Sequence, residues 1–186
     1  MNIKKILLML SLIVIFTSLS ALEVGKDLTI YLQEQGIPKP LIVILISMLP
    51  IVELRGAIPV AIGLLGMSWG ESIIYAILGN MIPIPFVLLF MDKITLLLNK
   101  WSFSRKILAK IFARTRSKSK VIERYEEIGL TLFIAIPLPV TGAWTGSLAA
   151  YLLGLKFWKS ILCALAGVTI AGFVVTAITL GVGAMF

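Results

Sequence analysis

The stretch Leu41–Gly66, LIVILISMLPIVELRGAIPVAIGLLG, decides the fold of this chain. It is apolar enough and long enough to enter a lipid bilayer, but its middle contains Pro50, Glu53, Arg55, Gly56 and Pro59. As helix, the halves 41–52 and 57–66 would each span roughly 15–18 Å, against roughly 30 Å of hydrocarbon. The stretch is therefore either one helix with an ion pair at its centre or two half-helices that enter the bilayer and turn back.

We favour the two half-helices, which together form a re-entrant hairpin. Proline removes a backbone donor and glycine permits a turn, so the middle of the stretch is poorly suited to regular helix. Glu53 and Arg55 are two residues apart, a spacing that does not pair side chains on a helix, and a break would let them meet. Charge and irregular backbone persist at membrane depth only beside protein or water, so together they indicate a cavity and a functional centre.

The composition is that of an all-α integral membrane protein. Of 186 residues, 59% are hydrophobic and 14% charged, and the mean hydropathy is +1.05; these values do not fit a soluble domain. The single Cys163 excludes an intramolecular disulfide, and the absence of histidine leaves no Cys/His set for zinc. One membrane domain is expected over 23–186, without cofactor or metal.

The N-terminal region has two interpretations. Residues 1–22 are either a secretory signal peptide or an uncleaved transmembrane helix, and Lys4 and Lys5 keep their start in the cytoplasm in both cases. Residues 23–40 mix charged and apolar side chains, which predicts a short amphipathic helix on the membrane surface, ended by Gly36 and Pro38.

Two spanning helices and one basic loop are predicted further along. The first spanning helix covers 72–98, and a kink is expected from the residues that weaken its middle: Gly79, Asn80, Pro83 and Pro85. Asn80 either bonds across helices or contacts a substrate. The segment 100–127 holds nine of the 17 Lys and Arg residues, so the net charge of +8 indicates a cytoplasmic loop rather than nucleic-acid binding. The second spanning helix covers 160–185.

A second interrupted stretch, 131–155, repeats the features of the first. Its sequence is TLFIAIPLPVTGAWTGSLAAYLLGL, with Pro137, Pro139 and Gly142 near its midpoint. Gly142 and Gly146 are four residues apart and permit a close backbone approach. The same depth also holds hydroxyl groups and an indole donor, from Thr141, Thr145 and Trp144.

An internal repeat relates the two halves. Residues 63–79 align without gaps to 151–167 at an offset of 88, with seven identities in 17 positions. Each unit is an interrupted segment followed by a spanning helix. If both hairpins return to their own side, the units have opposite orientations, and such inverted repeats place a transporter's site near the bilayer midplane.

At Pro50–Gly63, at Gly79-Asn80 and at Ile136–Gly146 the chain resembles the small multidrug export protein family, which is related to the DedA/SNARE-associated (VTT-type) membrane proteins. The resemblance covers about 41 to 181. It implies two re-entrant hairpins that meet at the bilayer centre, with acidic residues for proton coupling in the first hairpin. DedA-type proteins are implicated in moving polyprenyl-phosphate or phospholipid headgroups. The arginines of their second hairpin have no counterpart here, so a phosphate would meet only Arg55 and backbone or hydroxyl donors.

The sequence therefore favours a small proton-coupled secondary transporter of the plasma membrane over an enzyme. The alternatives are a lipid-carrier flippase and a membrane scaffold in which Glu53 and Arg55 form only a buried ion pair. We expect the lipid bilayer and a small-molecule or lipid-headgroup substrate as partners, and no nucleic acid; a homodimer fits the small buried surface. The predicted substrate and proton site comprises Glu53, Arg55, Gly56, Pro59, Asn80, Pro137, Pro139, Thr141, Gly142, Trp144, Thr145 and Gly146.

Overall fold

A computed structural model of the protein describes residues 21–98, 120–138 and 141–183. Every regular element in these ranges is an α-helix, as the composition predicts. The helices are α1 (21–34), α2 (Lys39–Ser47), α3 (Glu53–Gly63), α4 (Trp69–Met81), α5 (Pro83–Leu98), α6 (Lys120–Ala135), α7 (Ala143–Leu152) and α8 (Phe157–Gly183). The predicted N-terminal segment up to residue 20, most of the basic loop and Pro139 lie outside the described residues.

A helix is present in the segment predicted over 23–40, as α1, and its position on the membrane surface stays a prediction. It ends at residue 34, and Gly36 follows with a φ of +74°, the left-handed conformation in which glycine commonly closes a helix. Pro38 then stands immediately before α2, where its missing N–H costs no helical hydrogen bond. The predicted end of this helix is confirmed.

The first interrupted stretch breaks earlier than predicted. Helix α2 ends at Ser47 and α3 begins at Glu53, so the break covers 48–52. Gly56 and Pro59 lie inside α3, and the prediction that they interrupt the helix was wrong. Gly56 is instead a packing residue, because a Cβ there would lie 2.5 Å from Val52 Cγ1. Pro59 removes only one donor of the helical ladder, which α3 tolerates.

The second interrupted stretch breaks at Pro137 and Gly142, as the sequence predicts. Helix α6 ends at Ala135 and α7 begins at Ala143, so the described part of this break covers 136–138 and 141–142. Helix α6 begins at Lys120, and the last residues of the predicted basic loop therefore belong to this helix.

The helix predicted over 72–98 is divided at Ile82, which separates α4 from α5, and the kink stays a prediction. Helix α4 begins at Trp69 rather than at 72, because Ser68 and Glu71 form a reciprocal N-terminal cap. The Ser68 hydroxyl accepts from the Glu71 N–H at 3.3 Å, and the Glu71 carboxylate accepts from the Ser68 N–H at 3.2 Å. Ser68 and Glu71 thus fix the start of this helix.

Two helical stretches, Trp69–Met91 and Phe157–Val182, are long and apolar enough to cross a membrane. Only 33% and 44% of their most apolar windows are buried inside the protein, whereas a core helix of a soluble protein would be mostly buried. Leu89, Leu162 and Phe173 are each more than half exposed along these stretches. Apolar surface of this extent fits contact with lipid.

The helices pack as two similar sets. Helix α2 packs on α4, and α6 packs on α8. A glycine permits each close approach: a Cβ at Gly79 would lie 2.3 Å from the Ile44 carbonyl oxygen, and a Cβ at Gly167 would lie 2.9 Å from the Thr131 carbonyl oxygen. Helix α3 also contacts both α4 and α8, which joins the two sets.

Local geometry recurs at the spacing of 88 residues found in the sequence. Helix α4 begins at Trp69 and α8 at Phe157. The preceding turns contain Gly66 and Gly154, with φ values of +64° and +72°. Within the first turns of α4 and α8, the buried hydroxyls of Ser72 and Ser160 donate to the carbonyl oxygens four residues earlier, at 2.8 and 3.1 Å.

Candidate functional site where two helix breaks meet

Glu53 and Arg55 form the ion pair that the sequence predicts. Glu53 is the first residue of α3 and is only 3% exposed. Its φ of +47° is uncommon for a residue other than glycine, and it takes the backbone out of regular helix at this point. Arg55 Nη2 consequently reaches Glu53 Oε2, at 3.1 Å, although the two residues are only two apart.

The second break lies directly against this carboxylate. A Cβ at Gly142 would lie 2.1 Å from Glu53 Oε2 and 2.6 Å from Oε1, so only glycine fits. The backbone N–H of Trp144, in the first turn of α7, also stabilises the charge of this carboxylate. Glu53 therefore stands at the start of two helices, its own α3 and the facing α7, where free N–H groups and the helix dipole favour negative charge.

Two hydrogen bonds cross between the breaks in opposite directions. Arg55 Nη1, from α3, donates to the carbonyl oxygen of Leu138 in the second break. The indole Nε1 of Trp144, from α7, donates to the carbonyl oxygen of Met48 in the first break, at 3.1 Å. Each break thus supplies a carbonyl for a side chain from the helix that follows the other break. We refer to these two contacts as the crossing hydrogen bonds.

The hydroxyl of Thr141 organises the second break. It accepts from the Leu138 N–H at 3.1 Å and lies 2.6 and 2.8 Å from the carbonyl oxygens of Ile136 and Leu138. Thr141 therefore positions the Leu138 carbonyl that Arg55 contacts. Its own hydrogen-bonding capacity is already used within the turn.

Asn80 reaches the site from the end of α4, next to Met81 and close to Ile82. Its side chain is fully buried and lines a small cavity together with Glu53, Arg55 and Gly142. Among the residues that the structure describes, neither the amide nitrogen nor the amide oxygen of Asn80 has a hydrogen-bond partner. Of the two predicted roles, a bond across helices is therefore not found, whereas contact with a ligand fits the geometry.

The remaining predicted site residues divide into two groups. Pro137 lines the cavity, and Thr145 donates weakly to the Gly142 carbonyl oxygen at 3.4 Å. Gly56, Pro59 and Gly146 do not line it. Gly146 instead permits the approach of α6 to α7, since a Cβ there would lie 2.3 Å from Ile134 Cγ1.

Sequence reasoning missed two kinds of contributor to the site. The carbonyl groups of Met48 and Leu138 belong to the backbone. Every residue has a backbone carbonyl, so the sequence cannot indicate which of them contribute to the site. The apolar wall of the cavity comes from Ile134, Val168 and Ala171, which are ordinary residues of α6 and α8. The only sequence feature related to this wall is the frequency of small residues in the last helix. Small residues are too common in membrane helices to indicate one position.

Comparison with known proteins assigns the chain to a family. The profile of the family described as Putative small multi-drug export protein matches residues 53–174, well over half of the chain. The chain belongs to this family. The match begins at Glu53 and includes Arg55, Asn80 and the whole second break. No curated protein and no solved structure gave a significant match. Membership in an export family, together with the two long apolar helices, indicates a membrane transporter rather than an enzyme.

Proposed function

We propose that this protein is a proton-coupled exporter of the plasma membrane, with its substrate and proton site where the two helix breaks meet. The observation that carries the proposal is the buried Glu53 carboxylate, paired with Arg55 and covered by Gly142. Ionisable side chains inside a membrane are costly and typically mark ion or substrate pathways. Glu53 is the proton-carrying group in this proposal, and Arg55 is its counter-charge.

The architecture that we propose is a pair of inverted repeats, each with a re-entrant hairpin. Helices α2, α3 and α7 contain nine, 11 and 10 residues. They are therefore about 13–17 Å long, which is too short to cross about 30 Å of hydrocarbon. The recurrence of helix starts, turns and serine contacts at a spacing of 88 residues supports the repeat. The basic segment 100–127 lies on the cytoplasmic side in this arrangement, by the positive-inside rule.

The crossing hydrogen bonds serve as the two gates in this proposal. Equivalent contacts of an inverted repeat lie on opposite sides of the membrane midplane. In each crossing hydrogen bond, a side chain near the start of one helix donates to a backbone carbonyl of the other break. Arg55 of α3 donates to Leu138, and Trp144 of α7 donates to Met48. Opening one bond while the other persists would expose the Glu53 site to one side at a time.

The experiment that tests the function uses the purified full chain in lipid vesicles. An imposed pH gradient should drive a lipophilic cationic dye across the membrane, with counter-movement of protons reported by a pH-sensitive dye inside the vesicles. Glu53→Gln keeps the size of the side chain but cannot release a proton, so it should abolish gradient-driven movement. Glu34→Gln, on the exposed face of α1, is the matched control and should behave as the unmodified protein.

Three results would overturn the proposal. Proton movement by Glu53→Gln at the rate of the unmodified protein would remove Glu53 from the coupling. Gradient-independent movement of a fluorescent phospholipid, with no movement of the dye, would favour the lipid flippase. Absence of both activities in a correctly folded preparation would favour the scaffold, in which Glu53 and Arg55 serve only as a structural pair.

A further inference from the structure

Asn80 differs from the other buried polar side chains of the described residues. Six buried hydroxyl side chains each donate to a backbone carbonyl oxygen of their own or a neighbouring helix: Thr29, Ser47, Ser72, Ser147, Ser160 and Thr176. Asn80 is as deeply buried, yet within those same residues its donor and its acceptor both lack a partner. An unpaired buried amide is costly and is usually explained by water, a ligand or a functional role.

The cavity beside Asn80 has the size and the polarity that a water molecule requires. It has room for about one water and is polar on the side of Glu53 and Arg55. The lining also includes the apolar side chains of Ile134, Val168 and Ala171.

The chemistry of these walls selects among small ligands. The Glu53 carboxylate disfavours an anion. A metal ion would have to displace the Arg55 guanidinium, which already contacts that carboxylate at 3.1 Å. The amide of Asn80 offers a nitrogen with two N–H donors and an oxygen acceptor, and water is the smallest group that can satisfy either.

We propose that Asn80 and Glu53 hold an internal water molecule, and that Glu53 gains and loses its proton through this water. In the uptake step an O–H bond of a hydrated proton breaks and an O–H bond forms on the Glu53 carboxylate, which leaves a neutral water on Asn80. Release is the reverse of this step. The presence of the water is independent of the proposed function, whereas its role as a relay rests on that function.

The presence of the water can be measured without any transport assay. The chain contains three asparagines, at 2, 80 and 99, and two glutamines, Gln33 and Gln35. Labelling these two residue types with ¹⁵N in the full chain in lipid vesicles gives five side-chain amide signals, and Asn80→Leu assigns the signal of Asn80. Gln33 and Gln35 are exposed on or just after α1 and serve as the reference. The rate of magnetisation transfer from water to the Asn80 amide should be within a factor of about two of the rate to these two glutamine amides. Transfer to Asn80 from lipid chains alone would overturn the water site.

The relay is tested by Asn80→Leu in the vesicle assay. Leucine has the same number and branching of side-chain heavy atoms as asparagine and removes the amide, so the variant should fold and melt near the temperature of the unmodified protein. Proton movement should fall at least tenfold while dye binding is retained. Ser147→Ala is the matched control, since it removes a buried polar group that is bonded within its own helix. Full proton movement by a folded Asn80→Leu would refute the relay, whatever the result for Glu53→Gln. If the variant does not fold, Asn2→Ser and Asn99→Ser assign the Asn80 signal by elimination, and the water-transfer measurement decides the site.

Discussion

Replacing Gly142 with alanine tests the contact on which the site depends. The new Cβ would lie 2.1 Å from Glu53 Oε2 and 2.7 Å from Cδ. Non-bonded heavy atoms are ordinarily separated by at least about 3.5 Å, so the carboxylate or the second break must move by more than about 1 Å. The carboxylate cannot swing away freely, because it is buried and is held by Arg55 at 3.1 Å.

Overpacking of a well-filled site costs about 1–3 kcal/mol, so we expect Gly142→Ala to lower the thermal midpoint of the purified protein in detergent by several degrees. Gly70→Ala is the control, because a Cβ at Gly70 meets no atom within 4 Å. Gly70 lies in the first turn of α4, where alanine is the better helix former, so this variant should be neutral or slightly stabilising.

A double-mutant cycle identifies the cause of the loss. Combining Gly142→Ala with Glu53→Ala removes the atoms that the new Cβ would strike. If the clash with Glu53 is responsible, alanine at 142 should cost at least about 1 kcal/mol less in the Glu53→Ala background, a coupling expected only of residues in contact. An equal cost in both backgrounds would refute the contact between the second break and the carboxylate.

Two further substitutions test the packing and the gates. Gly79→Ala should destabilise the protein more than Gly142→Ala does, because its Cβ would lie 2.3 Å from the backbone oxygen of Ile44, which cannot rotate away. Gly63→Ala is the control, since a Cβ at Gly63 meets open space. Equal thermal midpoints for Gly79→Ala and Gly63→Ala would contradict this prediction. Trp144→Phe keeps a six-membered aromatic ring but removes the pyrrole ring with its donor to the Met48 carbonyl, so stability should fall by at least about 0.5–1.5 kcal/mol. An unchanged unfolding midpoint in denaturant would show that this crossing hydrogen bond adds nothing.

The sequence predicted the two breaks and their polar residues better than the limits of the helices. Pro137 and Gly142 do interrupt the second stretch, whereas Gly56 and Pro59 lie inside α3. Residue type alone cannot separate these cases. A glycine permits a turn, but it also permits a close approach, and only the surrounding structure decides which use applies. At Gly56 the neighbour is Val52 of the preceding break, and at Gly142 it is the carboxylate of Glu53.

The pairing of Glu53 with Arg55 was predictable, but the environment of the pair was not. Two opposite charges near a break in an apolar stretch are visible in the sequence, and burial makes their contact necessary. The backbone groups that complete the site come from residues far along the chain, as the contact of Arg55 with the Leu138 carbonyl, 83 positions away, illustrates. The internal repeat is the one sequence signal that relates positions so far apart.

The position of Glu53 links its charge to the contact between the breaks. A buried carboxylate loses its hydration, and here that loss is offset by Arg55, by the Trp144 N–H and by the N-terminus of α7. Arg55 belongs to the same helix, α3, as Glu53 and would stay with it if the breaks separated, whereas the other two groups would be lost. A charged Glu53 therefore favours closely packed breaks, and a protonated Glu53 removes much of that preference, because a neutral carboxyl group interacts more weakly with a helix N-terminus. A ligand can shift a conformational equilibrium only by its differential affinity for the two states. In the proposed function, the proton would acquire that differential affinity because Glu53 draws part of its stabilisation from the facing helix α7.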